Sequence, residues 1–322
     1  MGAHSRPVLG IAAAALAWLS GEPALAAGAC ELQLSADLPI ARLGDPPAIM
    51  VMARYGDTPL RMIFDTGASS TIIEGRVPGF VGLRWITKDV ARGPGGDVTV
   101  WHSRNLSLTL GGLTVTLPSV AVTDPRNPLY DNQFDGLLGV DALMPYDFEF
   151  DPEAGRIRIF SQEHCPGKVV YWANEYSLIP FKRGRDRKID VTVRIDGKAL
   201  AGIIDTGTSH TAMTWQTAED LFGLTAASPG VSAVDSPILT SVGKRLEASR
   251  YTFDSLELGA LRVRRASVNL LPPTSPGALE HPFGADAGAP QVIIGMDLLQ
   301  HLRFYIANAE EMIYFTLARP PA

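Results

Sequence analysis

Apolar and polar side chains alternate with a period of two in four stretches: Val98–Trp101, Leu106–Leu110, Leu113–Leu117 and Ile189–Ile195. That period places successive residues on opposite faces of a strand and predicts half-buried β-structure at all four. Helical spacing is confined to short pieces. Leu143 and Leu299 each fall four residues beyond a glycine, Gly139 and Gly295, which predicts a short helix after each, and 215–223 predicts a third. With 31 Gly and 24 Pro in 322 residues and no collagen period, the chain reads as many short strands joined by turns.

The same order of signals occurs twice. A shift of 140 lays residues 49–74 on 189–214 without a gap, and 10 of the 26 positions are identical. The identities include Val51/Val191, Arg54/Arg194, Leu60/Leu200, Ile63/Ile203 and the whole of Asp-Thr-Gly-x-Ser. A shift of 148 lays Leu108-x-Leu110-Gly111 on Leu256-x-Leu258-Gly259, and a shift of 156 lays Leu137–Leu143 on Ile293–Leu299, then Phe148 on Phe304 and Ile157 on Ile313. Each step in the offset is an insertion in the second copy, the later one within the Pro/Gly/Ala-rich stretch 271–291. A unit of about 125–140 residues is therefore duplicated, which is not the period of a solenoid. The expectation is an all-β chain of two tandem lobes with a few short helices: 31–160, a connection at 161–177, and 178–318.

Composition and charge narrow the classes. Hydrophobic residues at 46% and charged residues at 19% support a packed core rather than disorder. A net charge of −6 gives no reason to expect a nucleic-acid partner. The two cysteines cannot build a four-ligand zinc site alone, and neither C-x-x-C nor H-E-x-x-H occurs, so no metal or cofactor is expected. The N-terminus has the three parts of a secretory signal: Arg6, an apolar run at 7–19, and Ala24-Leu25-Ala26 as a cleavage site. That run is shorter than the roughly 18 residues needed to span a bilayer. Residues 1–26 are thus predicted to be a cleaved leader, with no stable membrane span and a periplasmic or secreted product. Export would permit a Cys30–Cys165 disulfide. Two other readings stay open, unpaired thiols and a lipidated Cys30, although Ala27-Gly28-Ala29 lacks the usual Leu three residues before a lipidated cysteine.

Candidate chemistry sits at two turns. Ile63-Phe64-Asp65-Thr66-Gly67 and Ile203-Ile204-Asp205-Thr206-Gly207 each deliver a carboxylate directly after an apolar strand, with Gly allowing a sharp turn beside it. A single Asp-Thr-Gly turns up by chance in about one chain in fifteen of this length, and alone it reads as a strand-end turn capped by Asp. Here both copies are followed by an apolar pair and Gly, at Gly139 and Gly295.

These motifs resemble the retropepsin-like and pepsin-like aspartic proteases, and the likeness covers nearly the whole chain after the leader. Phe64-Asp65-Thr66-Gly67-Ala68-Ser69 looks like the retroviral and bacterial form, and Asp205-Thr206-Gly207-Thr208-Ser209 like the second-lobe signature of pepsins. The resemblance implies two β-barrel lobes related by a pseudo-twofold, with catalytic Asp65 and Asp205 meeting between them. Thr66, Gly67, Thr206, Gly207 and Thr208 would support them. A first-lobe flap would carry Gly93, Gly95 and Gly96, and a second would lie near 239–248. No tyrosine occurs between Tyr55 and Tyr130 to match the pepsin flap tyrosine, so that flap mechanism is not carried over.

Two carboxylates about 3 Å apart cannot both ionise, so such a pair holds one proton near neutral pH. The ionised member takes a proton from water, which attacks a peptide carbonyl, and the protonated member donates to the carbonyl oxygen. Thr208 offers a hydroxyl where the first copy has Ala68, which predicts an ionised Asp205 and a proton on Asp65. The expected activity is an exported aspartic endopeptidase acting on peptides or proteins as a monomer. The alternatives are an inactive peptide-binding or structural protein, and a pair formed between chains. Retention of Asp-Thr-Gly in both halves favours catalysis, since a pure binder has no need of two buried like charges.

Other residues take plainer readings. Ser69 and Ser209 lack a G-x-S-x-G setting and suit local turn bonding. His210 has no paired metal ligands. Asp141 and Asp297 fit the first turn of a helix, and Lys182–Lys188 a solvated loop. Trp85 and Trp101 suit a substrate groove or lobe packing equally.

Overall fold

The computed structural model describes residues 30–80, 87–93, 96–126, 133–184, 186–235, 237–239, 245–272 and 290–318. The predicted leader, Trp85 and Gly95 lie outside the described residues. The alternating stretches become strands with the expected burial. Ile189, Val191, Val193 and Ile195 all turn into the core, and the residues between them are partly or fully exposed. Leu106, Leu108 and Leu110 do the same in the first half. The runs at 98–101 and 106–110 belong to one strand, Gly96–Leu110, rather than two. Its register against Leu113–Thr123 is unbroken, but the ladder skips Asn105 (φ 52°), which stands opposite Pro118. Proline has no N–H to give there, and Asn tolerates the left-handed backbone.

The repeat appears as one topology formed twice. In the first half an eight-stranded sheet runs in the order Ala41–Leu43, Ala48–Tyr55, Thr58–Phe64, Gly136–Leu138, Ile72–Ile73, Leu113–Thr123, Gly96–Leu110, Thr87–Gly93. The second half repeats it as Lys182–Arg183, Ile189–Ile195, Lys198–Ile204, Val292–Ile294, Ala212–Thr214, Leu261–Leu271, Ser249–Leu258, Ser232–Ala233. Each sheet curls back on itself through a further pairing, Ala48–Tyr55 with Gly96–Leu110 and Ile189–Ile195 with Ser249–Leu258.

A third sheet joins the halves. Its six strands run Leu34–Pro39, Arg156–Phe160, Asp147–Asp151, Leu302–Ala307, Met312–Leu317, Ser177–Pro180, three from each copy. At its centre Glu149 pairs with Tyr305, flanked by Phe148↔Ile306 and Phe150↔Phe304. Glu149 and Tyr305 are equivalent positions of the repeat, so the pseudo-twofold passes through that pair. Buried Glu149 receives Arg303 from the second half and Arg158 from the first, at 2.6 and 3.2 Å.

Short helices form where expected, at Val140–Leu143, Met296–Leu299 and Trp215–Phe222. The last is capped by the Thr214 hydroxyl, which accepts from the Thr217 amide, and ends at Gly223 in the left-handed region. The connection 161–177 is anchored to the fold: Cys165 is disulfide-bonded to Cys30, and Val169 is buried with Phe160, Tyr305 and Tyr314. Among the described residues no helix is long and apolar enough to cross a membrane.

Candidate active site

Strand Thr58–Phe64 ends at Asp65 and strand Lys198–Ile204 at Asp205. Each runs parallel to the short apolar strand before the second glycine of its copy, Gly136–Leu138 or Val292–Ile294. The Asp65 amide donates to the Leu138 carbonyl and the Asp205 amide to that of Ile294, both at 3.0 Å. The apolar pair and glycine of each copy thus hold the end of the strand that carries its aspartate.

The two turns face one another and are cross-tied by their threonines. The Thr66 hydroxyl donates to the Ile204 carbonyl (2.7 Å) and accepts from the Thr206 amide (3.1 Å). The Thr206 hydroxyl reciprocates, donating to the Phe64 carbonyl (2.6 Å) and accepting from the Thr66 amide (3.2 Å). Both threonines are buried. The glycines let the turns close. A Cβ on Gly67 would lie 2.2 Å from the Asp205 carboxyl carbon, and one on Gly207 2.2 Å from that of Asp65. No side chain fits at either position, and each carboxyl rests on the other turn's glycine.

The electrostatics are asymmetric. Burial raises the Asp65 carboxyl well above the ordinary carboxylate range, and the Asp205 charge raises it further, against opposing amide bonds from Gly67 and Ala68 (2.9 Å each). Burial also raises Asp205, but the Gly207 amide, the Lys188 charge, a side-chain bond with Asp65 and the Thr208 amide all oppose it. Burial thus raises both carboxyls, and the hydroxyl bond to Asp205 expected of Thr208 is not formed. The Thr208 hydroxyl points toward the His210 carbonyl (3.5 Å), so it is the Thr208 amide and not the hydroxyl that bears on Asp205.

A second repeated network, not anticipated from the sequence, supports the turns. The Thr71 hydroxyl and amide both donate to Asp141 (2.7 and 2.8 Å), and the same hydroxyl accepts from the Gly139 amide (3.1 Å). Thr211, Asp297 and Gly295 repeat these bonds at 2.7, 2.9 and 3.2 Å. Asp141 and Asp297 are therefore tied to the Asp-Thr-Gly turns, beyond their placement at helix starts. The signal was available, since Thr71 and Thr211 are identical under the 140-residue shift.

The remaining candidates fall in several places. Gly93 and Gly96 stand as a directly opposed pair at the ends of Thr87–Gly93 and Gly96–Leu110, and Gly95 lies outside the described residues. Near the second predicted flap, Ile238–Leu239 pairs with Arg245–Leu246. Trp101 is half-buried on Gly96–Leu110. The basic run is not a simple solvated loop: Arg183 stacks on Phe181, and Lys188 is largely buried beside Asp186. His210 is pushed down by burial and meets the charges of Asp297, Arg250 and Asp45.

A two-lobed β-fold whose lobes each give one Asp-Thr-Gly turn, cross-tied by threonines, defines the aspartic protease class. The aspartyl protease family profile matches residues 51–142 and 191–302, and the chain belongs to that family. An aspartic proteinase from Irpex lacteus has a similar fold, with a TM-score of 0.53 and 15% identity over 88% of this chain and 97% of that one. Among curated proteins no relative matches the sequence.

Proposed function

We propose that the protein is an exported aspartic endopeptidase in which Asp65 and Asp205 act as one catalytic pair. The reciprocal seating of each carboxyl on the other turn's glycine carries this reading. Asp65 holds the shared proton and Asp205 is the base. Asp205 takes a proton from a water molecule, which attacks the scissile carbonyl, while Asp65 donates its proton to the carbonyl oxygen. The tetrahedral intermediate collapses with proton transfer to the leaving amine, restoring the pair. The threonine ties fix the spacing, and the hydroxyls of Thr66 and Thr206 are spent on backbone carbonyls, so they do not compete for water.

Export rests on the leader-like N-terminus, and the Cys30–Cys165 disulfide accords with an oxidising compartment. A sulfur held in that disulfide is not free to carry a lipid, which favours a released protein over an anchored one. The internal pseudo-twofold supplies both aspartates from one chain, so a monomer suffices. Peptide-library digestion by the purified mature protein between pH 3 and 7 tests the function. Internal peptide-bond cleavage is expected. A folded protein that cleaves nothing across that range would favour the alternative, an inactive peptide-binding or structural protein that keeps the fold.

A further inference from the structure

The two copies differ at one position that the sheet register brings level with the aspartates. Strands Ile189–Ile195 and Lys198–Ile204 pair antiparallel with Asp190 opposite Ile203. The strands end at Ile189 and Ile204; continued two residues past its last pair, the register would set Lys188 against Asp205 on the face that Asp190 and Ile203 share. In the first copy Met50 pairs with Ile63, and the same continuation puts Ala48 opposite Asp65. At these equivalent places in the two copies the chain carries a lysine and an alanine. Lys188 is held in place: its side chain is only 18% exposed, Nζ lies 2.9 Å from Asp186 Oδ2, and the Gly184 amide donates to its carbonyl.

We propose that Lys188 is a positioning residue that fixes which aspartate carries the shared proton, keeping Asp205 ionised and shifting the working range of the pair to lower pH. The inference rests on the function proposed above. A cation beside one member of a like-charged pair stabilises every ionised state of that pair, so it lowers both macroscopic titration steps. The groups that matter are few. Asp205 meets Asp65 from the opposite turn and Lys188 from the hairpin of its own lobe. Lys188 meets Asp186, which offsets part of its charge, and Asp190, which Arg183 also faces. Arg187 acts on Asp141 in the other lobe, and His210 faces Asp297, Arg250 and Asp45.

The test is a carboxyl-carbon NMR titration of the mature protein labelled at aspartate, run beside the pH–rate profile. With Lys188→Gln the lower step of the pair should rise by about 0.5–1 pH unit, the Asp186 offset keeping it at or below the usual effect of a close charge. Lys188→Met, which keeps the stem packing, should do the same. Lys188→Arg should leave the step unmoved, and Lys188→Ala combined with Ala48→Lys should restore it with the proton order reversed. An unmoved step in Lys188→Gln and Lys188→Met overturns the proposal, as does an equal shift in Lys188→Arg, which would assign the effect to packing. A shifted titration in a protein that cleaves no peptide upholds the Lys188 assignment and removes the proposed function instead.

Discussion

The cross-tie between the two turns gives a prediction whose size follows from the hydrogen bonds. Thr66→Val keeps the shape of the side chain and removes its hydroxyl. Two buried backbone groups then lose their partners, the Ile204 carbonyl and the Thr206 amide, which the hydroxyl meets at 2.7 and 3.1 Å. An unsatisfied buried group costs about 1–3 kcal/mol, so the substitution should cost about 2–6 kcal/mol, a large share of the roughly 5–15 kcal/mol of a typical domain. Thr66→Ser retains the hydroxyl and should lose about 1 kcal/mol for its methyl. Thr208→Val removes only a 3.5 Å contact to the His210 carbonyl and should fall within about 0.5–1 kcal/mol of the wild type. Urea denaturation with linear extrapolation reads all three. Because Thr66 and Thr206 share one network, the double valine variant should depart from additivity by about 1 kcal/mol or more. Cleavage by Thr66→Val should fall about 100-fold if the turns slip by an ångström. Thr66→Val within about 0.5 kcal/mol of the wild type, or a Thr208→Val that costs as much, would refute the reasoning.

Three further outcomes follow from the same geometry. The raised Asp65 carboxyl makes folding less favourable as pH climbs: below the unfolded value of about 4 both states are protonated, and above it the unfolded chain ionises while Asp65 resists. Thermal midpoints of Asp65→Asn should therefore equal the wild type at low pH and exceed it as pH rises through the raised value, and a constant difference across pH would contradict this. Reducing the Cys30–Cys165 bond frees a 135-residue separation and should cost about 4–5 kcal/mol on the chain-entropy account, read by urea denaturation with and without reductant. Thr71→Val and Thr211→Val break equivalent bonds to Asp141 and Asp297 and should cost similar amounts, about 2–4 kcal/mol each, by the same assay.

How far the sequence revealed the molecule depended on the range of each interaction. The repeat was visible because Asp-Thr-Gly-x-Ser-x-Thr recurs without a gap, and the core faces were visible because burial in Ile189–Ile195 follows period two. The six-stranded sheet was not legible. Leu34–Pro39 pairs with Arg156–Phe160, more than a hundred residues away, and nothing local in either segment names its partner. Asp141 was read from its own helix, whereas its hydroxyl partner Thr71 lies seventy residues earlier. Thr208 was misread because the turn geometry, not the residue type, sends its hydroxyl to His210. Lys188 looked like one charge among many in 182–188, and only the pairing of Ile189–Ile195 with Lys198–Ile204 suggests a place for it near Asp205.

The account turns on Asp65 and Asp205 working as a unit, and the kinetics of Asp65→Asn, Asp205→Asn and the double variant test that directly. With one cleaved peptide as substrate, each single variant should lose about 10³-fold or more in kcat, and the double variant should fall little further, because residues that act together are not additive. Near wild-type turnover in either single variant, or losses that multiply in the double, would mean that the two aspartates do not form one catalytic pair.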